Sequence, residues 1–242
     1  MCKYLVSLLL IGVTTSSVAL ANDDVVVRTE KGQIAASDIN TLVLDASIGE
    51  YDITATNGNT IVWQLDLVAD ADLEQARSKA EQFTVSAQRE GDEYVLSVDW
   101  PTDTDNNGDI NIDDSVTERW TISVPARLAL DMNANIGEVT IDGVAGGVTL
   151  DFNIGEVSVE IPRGTVDISS NIGEVELVTR TDSLGDVDLD ANIGEISFTN
   201  AGEDVAADYN FPVGQELHLN NDGEDSIEIG LNIGEIDVEV EQ

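Results

Sequence analysis

The stretch VTLDFNIGEVSVEI, residues 148–161, is the part of the sequence from which the fold can be predicted most directly. Apolar and polar residues alternate from Val148 to Ile154, and the alternation resumes out of phase from Val157 to Ile161. A period of two is typical of a half-buried β-strand. The change of phase predicts that the chain turns a corner at Gly155 while its apolar side chains stay in the interior.

The centre of this stretch, Asn-Ile-Gly-Glu, recurs through the second half of the chain, and a near copy, Ser47-Ile48-Gly49-Glu50, lies upstream. The last full gap holds a degenerate copy, Val213-Gly214-Gln215-Glu216, at its midpoint. A fixed period near 20 residues predicts stacked units, because one unit alone cannot bury its apolar face. The glycines of the five full copies are 18, 18, 21 and 40 residues apart: Gly137, Gly155, Gly173, Gly194 and Gly234.

The predicted fold class is all-β, namely a β-solenoid or β-roll-like stack of two-strand rungs of about 18–20 residues, with one short helix in an N-terminal insertion. An antiparallel meander would also give strand–turn units, since glycines such as Gly146 and Gly155 are nine residues apart. Sequence identity returns after 18 residues, which favours parallel rungs with each copy above the previous one. The last copy would end the stack, where Glu235, Asp237 and Glu239 would discourage pairing of an open edge.

Three parts of the chain are distinguished by composition. Residues 1–21 are predicted to be an export signal, with a basic Lys3, a short apolar run and the small-residue cleavage site Ala19-Leu20-Ala21. Residues 22–126 are predicted to hold N-terminal strands, a first rung at about 41–63 and a helix and hairpin insertion, and residues 127–242 the repeat solenoid. Residues 22–242 are expected to form one continuous domain without a transmembrane segment.

The insertion is predicted from strand and helix patterns between the upstream copy and the repeats. Strands are expected at 61–68, 84–88, 94–100 and 119–125, with a helix after the first of them and an acidic loop before the last. Trp63, Trp100 and Trp120 fall in these strands and are expected in the core.

The charge of the chain limits its partners. The sequence has 48 acidic and 10 basic residues, a net charge of −38. Such a surface repels nucleic acid and anionic membranes, so no nucleic-acid partner is expected. It favours cations, basic partners or solubility in salty water. Cys2, the single cysteine, lies in the predicted export signal, so no disulfide is expected.

The acidic segment 103–114, DTDNNGDINIDD, has the spacing of an EF-hand calcium loop. Gly108 permits the sharp bend that would bring the oxygen ligands together. Against this assignment, strands and not helices are predicted on both sides, and the final ligand is shorter than the usual glutamate. The alternative is a solvated acidic hairpin loop, in which Asp, Asn and Gly are common turn residues. The candidate Ca²⁺ ligands are Asp103, Asp105, Asn107, Asp109, Asn111 and Asp114.

The glutamates of the repeat are a second candidate site. In a parallel stack they would form one column beside the repeated asparagines, with rungs about 4.8 Å apart. Neighbouring carboxylates at that distance repel by roughly 0.9 kcal/mol even in water, whereas stacked asparagines can hydrogen-bond along the column. The column invites divalent cations or a basic partner; the alternative is a solubilising rim. The candidate residues for surface binding are Glu138, Glu156, Glu174, Glu195 and Glu235.

Signals of catalysis are weak. His218 is the one histidine and alternates outward between Leu217 and Leu219, so we expect an exposed strand position. A nucleophile elbow and a phosphate-binding loop are both absent from the sequence. Pairs of carboxylates for glycoside hydrolysis remain an alternative, because 48 acidic residues supply pairs everywhere.

The whole pattern resembles the bacterial "putative adhesin" family, a domain of unknown function with β-solenoid-like repeats. The shared features are an early Gly-Glu strand pair, a helix-bearing excursion that ends in residues 120–125, WTISVP, and a series of Gly-Glu-Val segments from Gly137 onward. The resemblance covers about residues 40–240 and implies no catalytic residues.

We therefore expect an exported, non-enzymatic β-solenoid protein, periplasmic or extracellular, that serves as a structural or adhesive scaffold of the bacterial cell envelope and binds calcium in the 103–114 loop. Its expected partner is an envelope or extracellular protein or a saccharide. The alternatives are a carbohydrate-active enzyme with carboxylates in a solenoid groove, and an envelope cation buffer or sensor.

Overall fold

The computed structural model describes residues 25–69, 73–99, 103–104, 110–111, 116–210 and 213–241. The predicted export signal, Trp100 and most of the predicted calcium loop lie outside these residues. The described residues are all-β in architecture apart from one short helix, α1 (Leu73–Ala80), between the fourth and fifth strands. The strands are β1 (Val25–Ala35), β2 (Thr41–Asp45), β3 (Ile48–Thr56), β4 (Thr60–Ala69), β5 (Thr84–Glu90), β6 (Glu93–Asp99), β7 (Asp103–Thr104), β8 (Ile110–Asn111), β9 (Thr117–Pro125), β10 (Ala129–Asp142), β11 (Val148–Ile161), β12 (Val166–Thr179), β13 (Leu184–Asn200), β14 (Glu203–Asp204), β15 (Asp208–Asn210), β16 (Gly214–Leu219) and β17 (Asp225–Val240).

The strands that carry the repeated motif pair in parallel and in register. Gly137 of β10 lies opposite Gly49 of β3 on one side and Gly155 of β11 on the other. The same register continues from β11 to β12, from β12 to β17 and from β17 to β13. An antiparallel meander therefore does not describe these strands.

Each repeat strand buries two sets of side chains with opposite phase. In β11 the buried set changes from Val148, Leu150 and Phe152 to Val157, Val159 and Ile161. This burial pattern confirms the predicted change of phase. Without it, the strict alternation of a strand would turn Val157, Val159 and Ile161 outward. Stacking of these sets from strand to strand gives the continuous core of the repeat region.

The order of the repeat strands differs from the order in sequence. The final strand β17 lies between β12 and β13, and it is not the edge of the sheet. The expectation that each copy lies above the previous one is therefore wrong for the last two copies. The acidic side chains of β17, Glu235, Asp237 and Glu239, lie on the exposed face of an interior strand, so they do not protect an open edge.

The connection between β12 and β13 contacts the start of β17, in keeping with this order. Thr181 Oγ1 donates to Asp225 Oδ2 at 2.6 Å, and the main-chain Asp225 N donates to Ser183 O at 3.1 Å. The end of β17 is held in the same way, because Arg180 pairs with both Glu160 of β11 and Glu241, each at 2.6 Å.

The degenerate copy at 213–216 does not form a further parallel strand. It begins β16, which pairs antiparallel with β13, so that Gln215 lies opposite Ala191. A short strand β15 then pairs antiparallel with β16 and ends this side of the sheet.

At the other side the two halves of the repeat diverge into two groups of strands. The first half of β10 pairs with β2, which continues to β6 and β5; the second half pairs with β3, which continues to β9, β4 and β1. The core here contains Trp63 and Trp120, which are 6% and 0% exposed with ring centroids 5.9 Å apart. The expectation of core positions is thus confirmed for both.

Candidate functional site

The repeated motif places three ladders of like side chains along one exposed corner of the parallel strands. The asparagine ladder contains Asn135, Asn153, Asn171, Asn232 and Asn192 in spatial order. The isoleucine ladder is Ile48, Ile136, Ile154, Ile172, Ile233 and Ile193. The glutamate ladder is Glu50, Glu138, Glu156, Glu174, Glu235 and Glu195.

Glycine is required between the last two ladders because the backbones approach closely there. A Cβ on Gly155 would overlap the carbonyl oxygen of Gly137, and one on Gly173 would overlap that of Gly155. Gly155 also has φ +149°, a region that side chains disfavour. The corner can therefore be built only from a column of glycines.

The asparagine ladder is joined by side-chain hydrogen bonds. Asn153 Nδ2 donates to Asn135 Oδ1 at 3.0 Å, Asn171 Nδ2 to Asn153 Oδ1 at 3.3 Å, and Asn232 Nδ2 to Asn171 Oδ1 at 3.0 Å. Each amide thereby fixes its neighbour, as expected from the sequence. The third of these bonds crosses from β12 to β17, so it supports the unusual strand order.

The isoleucine ladder is exposed, which corrects the expectation that these residues belong to the buried set. Ile136, Ile154 and Ile172 are 37–39% exposed, and Ile233 and Ile193 are 40% and 47% exposed. Because the phase changes within the motif, the isoleucine and the glutamate both lie on the outside. A row of five half-exposed isoleucines is an apolar strip on a strongly acidic surface.

The glutamate ladder is exposed beside this strip, and its predicted residues do form one column. Parallel strands are about 4.8 Å apart, so adjacent carboxylates repel by roughly 0.9 kcal/mol in water. At the first position this repulsion is relieved by the chain itself, since Arg119 Nε contacts Glu50 Oε2 at 2.8 Å. Within the described residues, no lysine or arginine forms an ion pair with the other five glutamates.

The two ends of the ladders are closed differently. Arg119 of β9 occupies the next position after Glu50. At the opposite end, the Gln215 side chain is 7% exposed, and its Oε1 accepts a hydrogen bond from Ile196 N at 2.7 Å. Gln215 thus satisfies a backbone donor where a further parallel strand would otherwise bind, and it terminates the column.

Between these ends the surface forms an open groove of about 800 Å³. It runs across four strands, β11, β12, β17 and β13. Its walls combine apolar side chains, carboxylates and the glycine backbone: Ile154, Gly155, Glu156, Ile172, Gly173, Glu174, Gly194, Glu195, Gln215, Gly234 and Glu235. We call this the corner groove. It contains four of the five predicted glutamates; Glu138 lies in the ladder just beyond it.

A buried polar cluster lies beneath the Arg119 end of the ladders, and it is absent from the sequence-based expectations. Glu118 is 1% exposed and accepts a hydrogen bond from Trp120 Nε1 at 2.7 Å. Burial, together with the charge of Glu118, raises the pKa of the Tyr51 phenol. The signal that could have indicated it is the alternation along β9, which places Glu118 on the same buried face as Trp120 and Ile122.

The predicted calcium loop is described only in part. Asp103 pairs with Asn111 and Thr104 with Ile110 in a short antiparallel ladder, which makes the segment a hairpin. Residues 105–109 and 112–115 lie outside the described residues, so the calcium site stays a prediction. Elsewhere, the described residues contain no group of three acidic or histidine side chains close enough to hold a metal ion. His218 is exposed as expected, with Nδ1 3.0 Å from Asp188 Oδ1.

None of the described helical structure has the length and apolar character needed to cross a membrane. Family models and curated proteins yield no match to this chain. Among solved structures, a "putative cell adhesion protein" from Clostridium sporogenes aligns over 88% of this chain and 100% of its own, with a TM-score of 0.56 and 11% identity. This likeness extends to the fold.

Two further structures align at much lower scores. A "putative adhesin" from Bacteroides fragilis covers 87% of this chain and 97% of its own, with a TM-score of 0.24 and 8% identity. Another from Parabacteroides merdae covers 88% and 96%, with a TM-score of 0.21 and 10% identity. Of these three, only the Clostridium sporogenes structure is similar enough to show a shared fold.

Proposed function

We propose that this chain is an exported, non-enzymatic β-solenoid protein that acts as an adhesive or structural scaffold of the bacterial cell envelope. The repeat strands would be the rungs of the solenoid, and the corner groove would be its binding surface. The observation that carries the proposal is the exposed isoleucine ladder, held in register over the four strands of the corner groove beside glutamates that form no ion pair within the described part of the chain.

An adhesive role accounts for features that stability alone does not. Exposing five isoleucines contributes nothing to the core, and aligning carboxylates one strand apart costs free energy. A surface that is both apolar and charged in a regular array fits a partner that repeats along the same direction. Exposed apolar groups in a contiguous strip are typical of interaction sites.

The role of the corner groove is tested with two variants that each remove three negative charges. The groove variant is Glu156→Gln, Glu174→Gln and Glu235→Gln. The control variant is Asp151→Asn, Asp167→Asn and Glu228→Gln, which changes exposed residues on the same three strands but in their first halves, away from the corner groove.

The full chain is expressed with a C-terminal epitope in a Gram-negative host, and its compartment and N-terminus are determined by fractionation and mass spectrometry. Beads coated with the purified chain are then tested for retention of the producing cells under flow. We expect a mature N-terminus near Asn22, and retention that is lost in the groove variant and kept in the control variant. A cytoplasmic, unprocessed chain, or equal retention by beads coated with albumin, would contradict the proposal.

Calcium binding by Asp103, Asp105, Asn107, Asp109, Asn111 and Asp114 is part of the proposal. The supporting observation is the β7–β8 pairing, which brings the two sides of the loop together. Calcium would bind there as a structural ion, at a site separate in sequence from the corner groove.

A further inference from the structure

We propose that the corner groove binds a linear polyamine, in which ammonium groups are separated by short methylene linkers. The inference deepens the proposed function, since it assigns a ligand class to the same groove. It rests on two rows of side chains that run in the same direction: exposed isoleucines, which match methylene linkers, and exposed glutamates, which match ammonium groups.

The charge of the groove selects a cation. Its walls carry Glu156, Glu174, Glu235 and Glu195, and no basic side chain is among the lining residues. The chain itself provides an example of the interaction, because the Arg119 guanidinium contacts the first carboxylate of the same ladder at 2.8 Å. A second copy of this chain is a poor occupant, since it would bring another net charge of −38.

The exposed isoleucines favour a ligand that has apolar groups as well as positive charge. A metal ion or a free ammonium ion would leave Ile154 and Ile172 in water, at 38% and 39% exposure. A flexible chain of methylenes can cover them while its amines reach the neighbouring carboxylates. Burial of this surface adds a hydrophobic contribution to the electrostatic one.

The spacing of the ladder favours a polyamine over a basic peptide. Adjacent carboxylates repeat with the strand spacing, about 4.8 Å, so the four in the groove span about 14 Å. In an extended peptide, side chains on one face repeat at about 6.8 Å, so successive lysines would lose register with the glutamates. Linkers of three or four methylenes place amines close to the strand spacing, and they bring no backbone N–H or C=O that needs a partner.

Spermine is the probe, titrated by calorimetry into the purified full chain at physiological ionic strength. We expect saturable 1:1 binding with a negative heat-capacity change, as burial of apolar surface requires. The groove variant should weaken the dissociation constant by about tenfold or more, because each ammonium–carboxylate contact in water contributes roughly a fivefold factor. The control variant should change the dissociation constant by less than about threefold, because the carboxylates that it removes do not contact the ligand and their charge is screened by salt.

A second variant, Ile154→Thr with Ile172→Thr, separates the apolar contribution from the charge. It keeps every carboxylate and replaces exposed residues with another β-branched residue, so the fold should be retained, which circular dichroism checks. We expect several-fold weaker spermine binding and a smaller heat-capacity change.

Four outcomes would overturn the inference: no saturable binding of spermine, equal weakening in the groove and control variants, no effect of the isoleucine changes, or tighter groove-dependent binding of a lysine decapeptide. The first three would reduce the groove to a diffuse acidic surface, and the last would make its ligand a peptide. If beads still retain cells in a groove-dependent manner while spermine fails, the ligand class is wrong and the proposed adhesive function stands.

Discussion

The glycine column gives the sharpest test of how the repeat is packed, through the change Gly155→Ala. The new methyl group would overlap the Gly137 carbonyl oxygen and approach Phe152 Cε1. Overpacking of this kind costs about 1–3 kcal/mol, and separating the two strands weakens a backbone hydrogen bond worth about 1 kcal/mol. We therefore expect a loss of about 2–4 kcal/mol in the free energy of unfolding.

Gly230→Ala is the matched control on the neighbouring part of the sheet. Gly230 lies in β17, and a Cβ there would meet no atom within 4 Å. With space available, alanine should stabilise by about 0.4–1 kcal/mol, because it restricts the unfolded chain. The two substitutions thus add the same methyl group with opposite expected signs.

Urea denaturation followed by circular dichroism measures both variants against the unchanged chain. For a protein of this size, the Gly155→Ala loss corresponds to a fall of roughly 5–15 °C in melting temperature. If Gly155→Ala lies within about 0.5 kcal/mol of the unchanged chain, or falls together with Gly230→Ala, the close approach of the strands is not as described.

The isoleucine ladder, the buried tyrosines and the acidic loop can each be tested separately. Ile229 is 1% exposed, so Ile229→Ala should lower the free energy of unfolding, measured by urea denaturation, by about 2–5 kcal/mol. Ile154 is 38% exposed, so Ile154→Thr should change it by less than about 0.5 kcal/mol. Similar losses in the two variants would contradict the outward position of the isoleucine ladder. Burial raises the pKa of Tyr51 and of Tyr94, so the folded state favours the neutral phenols. The free energy of unfolding should therefore fall as the pH rises above about 10, where these phenols ionise in the unfolded chain. Tyr51→Phe should reduce this alkaline loss, and a variant with an unchanged pH profile of unfolding would refute this cause. Calorimetry with Ca²⁺ on chelator-treated protein should give saturable binding that Asp103→Ala with Asp114→Ala removes; no saturable binding in the unchanged chain would make the segment a solvated turn.

Strand positions could be predicted because their signal is local. Alternation marks β4, β5, β6 and β9 almost to the residue, since a half-buried strand needs a period of two wherever it lies. The register of the repeat was also accessible. Five identical motifs can align in parallel only if their glycines share one column.

The order of the last two copies could not be predicted from spacing. A gap of 40 residues fits two rungs of 20 as well as one antiparallel excursion and a return. The decision depends on contacts between distant residues, such as Thr181 with Asp225 and Arg180 with Glu241. Local pattern carries no information about these contacts.

The candidate site was predicted in part. The sequence predicts the glutamate column and the asparagine hydrogen bonds, but the hydrophobicity of the isoleucines predicts, wrongly, that they belong to the core. Asn153 and Glu156 both face outward, with only two residues between them. Strict alternation cannot place both outside, so one irregular position lies between them. The predicted change of phase places this irregularity at Gly155 and keeps Ile154 inside, so the pattern alone does not reveal that Ile154 is exposed.

The most direct measurement is disulfide formation between ladder positions, because the corner groove exists only if β17 lies between β12 and β13. In a Cys2→Ser background, Asn171→Cys with Asn232→Cys places two cysteines on adjacent strands, about 5 Å apart at Cα, within the range of a disulfide. Asn171→Cys with Asn192→Cys places them two strands apart, at about 10 Å, which is too far.

Mild oxidation of the purified, folded chain, followed by mass spectrometry under non-reducing conditions, distinguishes the two pairs. We expect an intramolecular disulfide in the 171/232 variant and free thiols in the 171/192 variant. A disulfide between positions 171 and 192, with none between 171 and 232, would mean that the copies stack in sequence order and that the corner groove as described does not exist.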